Sequence, residues 1–401
     1  MISLFLNLVS LGIVALLLAF TLRRLILLLT LLRPQLPITN YRITELPDIL
    51  AFLPARNESA SLPGLLHALD SLDYPRDRLR VVLINDGSTD DTAARMLDAL
   101  KTRPHWRLHS LPQNLGKPAA LNSALAAHDF GDLIYILDAD HRPAPDCLKT
   151  IAAAFADGRV AGVSGQMRVD NPTASPAAYY TAVESLVNQF VTMRGKDVLR
   201  LGPALLGSNN AYRRSALNAV SGFRAGAYLE DSDLTLALQR AGYTTRYLPQ
   251  AVSLHHAPAS LAGYLKQHIR WGRGFNDVAR AHLGEMLQDR RLAWPMRIEL
   301  TFFALGYLDR LAVLAAIFLL IIYLFSPFTF HVLLFTTLLL NLTFPLMQIL
   351  AALVYNHAPP ALWVRLPLVP LFFMLDIAVA LYSALASLLN RPRLWYQTER
   401  A

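Results

Sequence analysis

Leu133-Ile134-Tyr135-Ile136-Leu137-Asp138-Ala139-Asp140-His141 is the stretch on which the reading of this chain turns. An apolar run of strand length stops at two carboxylates separated by one small residue. In an open α/β sheet, ligands gather at the carboxyl ends of the strands. Two acidic side chains there can hold a divalent cation through oxygen, and Mg²⁺ favours a few carboxylates plus substrate phosphates. The ligand expected at such a strand end is a metal-bound diphosphate, such as a nucleotide-sugar. Asp-x-Asp alone is also common in solvated loops, so its meaning rests on the surrounding sequence.

Upstream of that stretch, strand-like runs alternate with helical patterns. Ile49-Leu50-Ala51-Phe52-Leu53 is a short apolar run ending at Pro54, and Ser59 is placed to cap a helix reaching about Leu72. Arg80-Val81-Val82-Leu83-Ile84 reads as a second strand, closed by Asn85-Asp86-Gly87-Ser88, and the polar residues Ser88 to Asp91 offer helix caps. Pro118 to Ala127 reads as a helix and Asp132 to Leu137 as the strand before the acidic pair. This alternation predicts a mainly parallel sheet covered by helices. In such a sheet the polar ends Asn57-Glu58, Asn85-Asp86 and Asp138-Asp140 share one edge, which makes a site of segments that singly read as turns.

The 401 residues are 54% hydrophobic and 16% charged, and the apolar residues concentrate at the two ends. Ile2 to Phe20 is almost free of charge, and apolar character resumes at Leu25 to Leu32 after Arg23 and Arg24. About 20 such residues cross a bilayer. No charged region precedes the run and no small-x-small site follows it, so it reads as an anchor rather than a cleaved leader. Three further apolar runs, roughly Leu311–Phe325, Phe328–Tyr355 and Leu366–Leu389, close the chain. The expected organisation is an N-terminal transmembrane helix (1–33), a globular domain (43–291), an interfacial amphipathic helix (292–310), about three transmembrane helices (311–390) and a tail (391–401). The interfacial reading rests on Arg297, Glu299, Asp309 and Arg310 among apolar residues.

Arg23, Arg24, Arg33 and Arg42 follow the first span, and by the positive-inside rule they put the globular domain in the cytoplasm of an integral inner-membrane protein. Four spans would put the tail outside, yet it carries Arg391, Arg393 and Arg400. Either the tail is an exception or one segment does not cross. The net charge of +8 suits anionic lipid headgroups or a negatively charged substrate. Nucleic acid is not an expected partner, because there is no basic helix or aromatic-basic platform. Cys147 is the single cysteine, so no internal disulfide can form.

Seven segments, in order, resemble the family 2 glycosyltransferases, and among them the membrane-embedded polysaccharide synthases of the chitin-oligosaccharide, poly-N-acetylglucosamine and cellulose types. They are Pro54-Ala55-Arg56-Asn57-Glu58, Asn85-Asp86-Gly87-Ser88, Asn114-Leu115-Gly116-Lys117, Asp138-Ala139-Asp140-His141, Gly207-Ser208, Glu230-Asp231 and Gln267-His268-Ile269-Arg270-Trp271. The resemblance covers about Ile49 to Trp271. It implies an α/β GT-A nucleotide-sugar-binding domain, with a mainly parallel sheet, inserted between transmembrane helices, and inversion at the anomeric carbon. It further implies that Asn57, Glu58, Asp86, Lys117 and Asp138 contact the donor nucleotide. Asp140, with His141 beside it, would ligate Mg²⁺ or Mn²⁺ on the diphosphate, and Gly207-Ser208 would form the floor under the acceptor sugar. The family usually has two Asp where this chain has Asn85-Asp86, so Asn85 receives no charge-dependent role.

The chemistry of sugar transfer agrees with these residue types. Negative charge builds on the departing diphosphate, where a metal and cationic side chains stabilise it. Arg270 suits this, since guanidinium binds phosphate bidentately. On a helix Gln267, Arg270 and Trp271 share one face, which suits donor phosphate (Gln267, Arg270) and an acceptor sugar stacked on indole (Trp271). The acceptor hydroxyl needs a carboxylate base. Asp231 is the candidate, with Glu230 orienting on the acceptor side and Asp233 helping to start a helix Leu234–Arg240. The expected activity is an inverting hexosyl transfer from a nucleotide-sugar, with a UDP-sugar as the expected donor, to the end of a growing polysaccharide. Single transfer to a lipid or lipid-linked acceptor is the alternative, and an inactive nucleotide-binding regulatory subunit is a third.

Overall fold

Near-continuous apolar runs become central strands when helices cover both faces of a sheet. The computed structural model describes residues 2–37, 45–324 and 331–391. Arg42, Arg393 and Arg400, and with them part of the expected tail, lie outside the described residues. Eight strands form one sheet: β1 Ile49–Ala55, β2 Leu79–Asp86, β3 Trp106–Leu111, β4 Leu133–Ile136, β5 Arg142–Pro143, β6 Val160–Val169, β7 Asn210–Arg213 and β8 Thr244–His255, in the order β3-β2-β1-β4-β7-β6-β8-β5. β3, β2, β1 and β4 are mutually parallel, as is the β6–β8 pair. The expectation of a mainly parallel sheet holds in that half, while β7 runs antiparallel to both β4 and β6, and β5 to β8.

Side-chain alternation along the central strands divides the core in two. Ala51, Leu53, Val81, Leu83, Leu133 and Tyr135 face one layer, with α2 (Leu62–Asp70), α3 (Thr92–Leu100) and the helix Cys147–Ala154 packed on it. Phe52, Val82, Ile84, Ile134 and Ile136 face the other, under the helices Lys117–Ala127, Arg214–Ala219 and Glu230–Arg240. Every residue of β4 is buried, which is why its sequence shows no polar alternation. Two local expectations shift. β1 runs on through Pro54 to Ala55, and α2 starts after Ser61, so Ser59 is not its cap: the Ser59 N–H instead reaches Asp90.

The remaining helices hold the domain against the apolar segments. For reference α4 is Lys117–Ala127, α5 Cys147–Ala154, α6 Pro176–Leu186, α7 Arg194–Val198, α8 Arg214–Ala219, α9 Glu230–Arg240, α10 Leu261–Gln288, α11 Trp294–Ala304, α12 Leu308–Leu324, α13 His331–Tyr355, α14 Pro360–Val364 and α15 Val369–Leu388; α1, the first, is Ile2–Leu29. Among the described residues three helical stretches, Leu4–Leu32, Val332–Tyr355 and Pro360–Leu388, are long and apolar enough to cross a membrane, and α11 with α12 makes a fourth candidate bent by 69°. The segment 292–310 is therefore two pieces: α11 ends at Ala304, and Asp309 and Arg310 belong to the first turn of α12. α1, α12 and α13 pack through Val14, Leu17, Ala316, Leu319, Leu334 and Leu338. At their domain end, Glu299 of α11 pairs with Arg23 of α1 at 2.6 Å and with Lys196 of α7 at 3.1 Å.

Candidate active site

The parallel register brings the ends of β1, β2 and β4 side by side, with Ala55 opposite Asn85 and Phe52 opposite Ile136. Asn57, just past β1, accepts from Thr89 N–H at 2.8 Å, and Glu58 N–H donates to Thr92 Oγ1 at 2.8 Å. These two residues thus brace the loop after β2. Asn85 donates to Ser110 Oγ at 2.9 Å and accepts from Ser88 N–H at 3.0 Å. The amide thus supplies a donor and an acceptor at once where the two-Asp pattern of the resemblance would place a carboxylate, which only accepts. Gly87 closes the turn at φ +62°, where a Cβ would lie 2.4 Å from the Gln113 carbonyl carbon. Asp86 accepts the backbone N–H groups of Leu115 and Gly116, at 2.7 and 3.0 Å, fixing the start of α4 beside the β2 end.

Lys117, at the first position of α4, is the hub. Its ammonium donates to Asp138 Oδ1 at 2.8 Å and the Gly207 carbonyl at 2.7 Å, and it pairs with Glu230 Oε1 at 3.0 Å. Burial works against its charge, but Asp138 and Glu230 outweigh burial and hold the ammonium well above its ordinary pKa. Three predicted site residues, from three other segments, therefore meet at the Lys117 ammonium. Ser208 is buried, and its Oγ accepts the Asp138 N–H at 2.9 Å, tying the Gly-Ser segment to the end of β4.

Asp231 stands beside this hub. A Cβ on Gly207, which has φ +79°, would lie 2.8 Å from Asp231 Oδ2, so the absent side chain leaves the carboxylate its place. Burial, reinforced by Glu230, raises the Asp231 pKa to about 7, against the opposing pull of Lys117, the Ser232 N–H and Arg270. The helix begins at Glu230, a turn earlier than expected. Asp233 lies in the first turn of this helix, and its carboxylate binds His282 Nε2 at 2.8 Å and Arg224 at 2.6 Å, on the side of α9 facing α10.

From the Gln267–Trp271 segment of α10, Arg270 reaches the site through its charge on Asp231. Trp271 packs with Leu229, the residue before Glu230, and its ring lies 4.7 Å from that of His268. His268 is buried, its Nε2 2.9 Å from the Glu184 carboxylate. Burial disfavours its charge, yet Glu184 prevails and raises its pKa. Gln267 is half-buried on the same face of α10.

Asp140 and His141 are both buried, so His141 is no loop histidine at the surface. Its ring stacks on His255 at 4.9 Å with an interplanar angle of 6°, and Nδ1 sits 3.2 Å from Ser253 Oγ. Ligand atoms of Asp140, His141 and His255 all lie within 4.8 Å of one another. A carboxylate and two imidazoles fit a divalent cation, and the nitrogens suit Mn²⁺ better than Mg²⁺, which keeps oxygen and water around it. His255 was not anticipated, and its one sequence signal is the His255-His256 pair closing a strand-like run. Asn209, also unanticipated, takes φ +52°, accepts the Tyr135 hydroxyl at 2.8 Å and donates to the Gln166 and Ala251 carbonyls at 3.0 and 2.9 Å. It locks β4, β6 and β8 together beneath Ser208.

Comparison with known proteins finds glycosyltransferases among the relatives of this chain. The chain is 28% identical over 261 residues to a probable glycosyltransferase of Bacillus subtilis, covering 64% of this chain and 62% of that protein. It is 30% identical over 250 residues to an N-acetylglucosaminyltransferase of Rhizobium meliloti, covering 58% of this chain and 57% of that one. A cellulose synthase catalytic subunit of Pseudomonas fluorescens is 30% identical over 268 residues, covering 63% of this chain and 34% of the subunit. The chain thus spans less than two thirds of the length of each of these relatives. In fold it is similar to a mannosyltransferase of Pyrobaculum calidifontis solved with GDP-Man and Mn²⁺, with a TM-score of 0.62 and 23% identity over 88% of this chain and 97% of that one. The model of glycosyl transferase family group 2 matches residues 133–377, from β4 through Asp138, Asp231 and Arg270 into α15, and the chain belongs to that family.

Proposed function

We propose that the protein is an inverting glycosyltransferase that moves a sugar from a nucleotide-sugar, a UDP-sugar, to the end of a growing polysaccharide at a membrane. The observation that carries the reading is Asp231: a carboxylate whose pKa stands near 7, beside the cation-bridged Asp138 and Glu230. A base poised near the working pH combines the correct protonation state with driving force for proton transfer. Asp231 takes the proton of the acceptor hydroxyl as that oxygen attacks the anomeric carbon from the face opposite the diphosphate. Glu230, held by Lys117, keeps the acid pair oriented. Gly207 and Ser208 leave room for the acceptor sugar, and Trp271 offers it a ring.

On the donor side, Asn57, Glu58 and Asp86 shape the cradle for base and ribose, with Lys117 and Asp138 at its inner end. Arg270 and Gln267 close over the phosphates from α10. Asp140, His141 and His255 would hold Mn²⁺ or Mg²⁺. A divalent cation bound there would offset the charge that develops on the leaving diphosphate. The catalytic side would face the cytoplasm, where nucleotide-sugars are made.

A second reading, transfer of one sugar to a lipid-linked acceptor, is favoured by the packing of α1, α12 and α13. Their centre is filled by Val14, Leu17, Ala316 and Leu334, which leaves little room for a polymer inside one copy. The deciding experiment is a donor screen on purified protein in nanodiscs with Mn²⁺ or Mg²⁺, each labelled nucleotide-sugar in turn, and products sized on a gel. A polymer smear from one donor supports chain extension. One small organic-extractable product moves the acceptor into the bilayer. No turnover with any donor, and no difference between the parent and Asp231→Asn, would leave a nucleotide-binding regulatory subunit.

A further inference from the structure

By length and composition α15 is a membrane-crossing helix: Pro360–Leu388 has a mean hydropathy of 2.1. Its partners say otherwise. Asp376 accepts the hydroxyls of Tyr180 on α6 and Tyr264 on α10, at 2.9 and 2.5 Å. Two turns on, Ser383 abuts Gly272 of α10, which also faces Tyr307, the residue just before α12. Ser387 Oγ then accepts from Asn276 at 3.3 Å, and the Arg391 carbonyl from Arg273 at 2.5 Å. From Asp376 to Ser387 the helix advances about 16 Å at 1.5 Å per residue, and over that whole distance it follows α10. α10 does not leave the domain: further along, its Val278 and Met286 pack with Leu236 of α9 and Leu300 of α11. α10 also carries Arg270, Arg273, Asp277 and Arg280, which would not enter hydrocarbon without partners there.

α12 behaves differently. It departs from α11 at 69° and buries its length against α1 and α13. α15 starts with Val369 and Phe372 clustered with Leu27 and Ala352, at the domain ends of α1 and α13, touches the bundle at Ile377, and at Ser383 lies beside Gly272, which also faces Tyr307 just before α12. The face of α15 turned from α10 is apolar and open: Leu371, Met374, Leu381, Leu385 and Leu388 are 57, 69, 40, 48 and 75% exposed. Both ends of α15 therefore sit at the domain level of the spanning helices, its packed face on α6 and α10 and its open apolar face turned away from them.

We infer that α15 does not cross the membrane but lies flat in the lipid headgroup layer on the catalytic side, its open apolar face against acyl chains. The chain then crosses three times, through α1, α12 and α13, and its C-terminal end returns to the side of the catalytic domain. Arg273, Arg280 and Arg391 around the end of α15 line a cleft of about 240 Å³ with Tyr228 and Asp277. Their charge excess suits anionic lipid headgroups at that level. This arrangement also answers the conflict in the sequence, where basic residues follow the last apolar run although four spans would carry them across.

The test uses single cysteines in the full chain, since Cys147 is fully buried and gives little background. Nitroxide labels at Leu371→Cys, Leu381→Cys and Leu388→Cys are measured for depth in nanodiscs by oxygen and nickel-chelate accessibility. A flat helix gives three depths within about 5 Å. An upright helix gives a monotonic change of about 25 Å between positions 371 and 388, from 1.5 Å per residue, and that result overturns the inference. In parallel, an impermeant maleimide is applied from each side of membrane vesicles to Asp98→Cys on α3, Val332→Cys at the far end of α13, and a cysteine added after Ala401. Labelling of the added cysteine from the same side as position 98 is expected. Labelling from the side of position 332 means α15 crosses.

Discussion

Asp231→Asn removes a charge while keeping the shape of the side chain. The pKa of Asp231 stands at about 7 against an ordinary 3.8, about 3 units. At about 1.4 kcal/mol per unit this is a ceiling of about 4 kcal/mol of instability when the group is ionised in both the folded and unfolded states. The carboxylate is partly exposed at the mouth of the site, and solvent screening brings the expected figure to about 2 kcal/mol. The sign follows from proton linkage. The raised folded pKa means that the folded state binds the proton more tightly, so stability falls as pH rises from about 4 to about 7, and the penalty is absent below about pH 4. The Asn variant carries no such dependence. Unfolding measured at pH 4.5 and pH 8 in the same detergent should show parent and variant close together at the lower pH and the variant about 2 kcal/mol more stable at the higher. Donor binding should persist, while transfer falls by a factor of about 10² to 10⁴. Parent turnover should climb to a plateau as pH rises through about 7. A parent as stable as the variant at pH 8, or a variant that still turns over, would refute the assignment of Asp231 as a strained, poised base.

Lys117→Met leaves Asp138 and Glu230 facing each other without their cation. Donor affinity by calorimetry should fall at least about ten-fold, and the unfolding free energy in urea by about 3 kcal/mol. Both His255→Ala and Asp140→Ala should raise the Mn²⁺ concentration needed for half-maximal donor binding by about ten-fold or more, read by Mn²⁺ spin resonance and nucleotide titration together. Unchanged metal dependence in either variant would remove that residue from the ligand set. Gly207→Ala puts a methyl 2.8 Å from Asp231 Oδ2 at a left-handed φ. It should cost about 1 kcal/mol or more of stability and lower kcat well beyond any change in donor KM, whereas equal losses in donor binding would place Gly207 elsewhere in the cycle.

Much of this site is legible because parallel strands carry their function at their carboxyl ends. β1, β2 and β4 are short, apolar and followed by Asn57, Asp86 and Asp138, so period and punctuation together reveal the edge. Lys117 is legible as a motif residue but not as a hub: its partners Glu230 and the Gly207 carbonyl come from segments about ninety residues or more away. His255 escapes for a similar reason. It reaches His141 through β8, whose short pairing with β5 at Arg142-Pro143 leaves no periodic trace. The antiparallel β7 is four residues long, too short for alternation to declare its direction. α15 shows the limit of hydropathy most plainly: apolar composition says that a helix can enter lipid, while only its neighbours say at what angle.

The ion cluster at Glu299 has a consequence in time. Arg23 and Glu299 are 276 residues apart, so at about 10 residues per second the ribosome needs about half a minute to supply the partner after the arginine has emerged. The same delay holds for Arg24 and Asp309. Over that interval the first helix carries two guanidinium groups whose eventual partners do not yet exist, leaving water and lipid phosphates to solvate them. The finished pairs then fasten the oldest helix of the chain to α11 and α12 on either side of their bend. Closure of the membrane bundle is therefore a late event in biosynthesis, and chains arrested before Glu299 should hold their catalytic domain on a single loosely seated anchor.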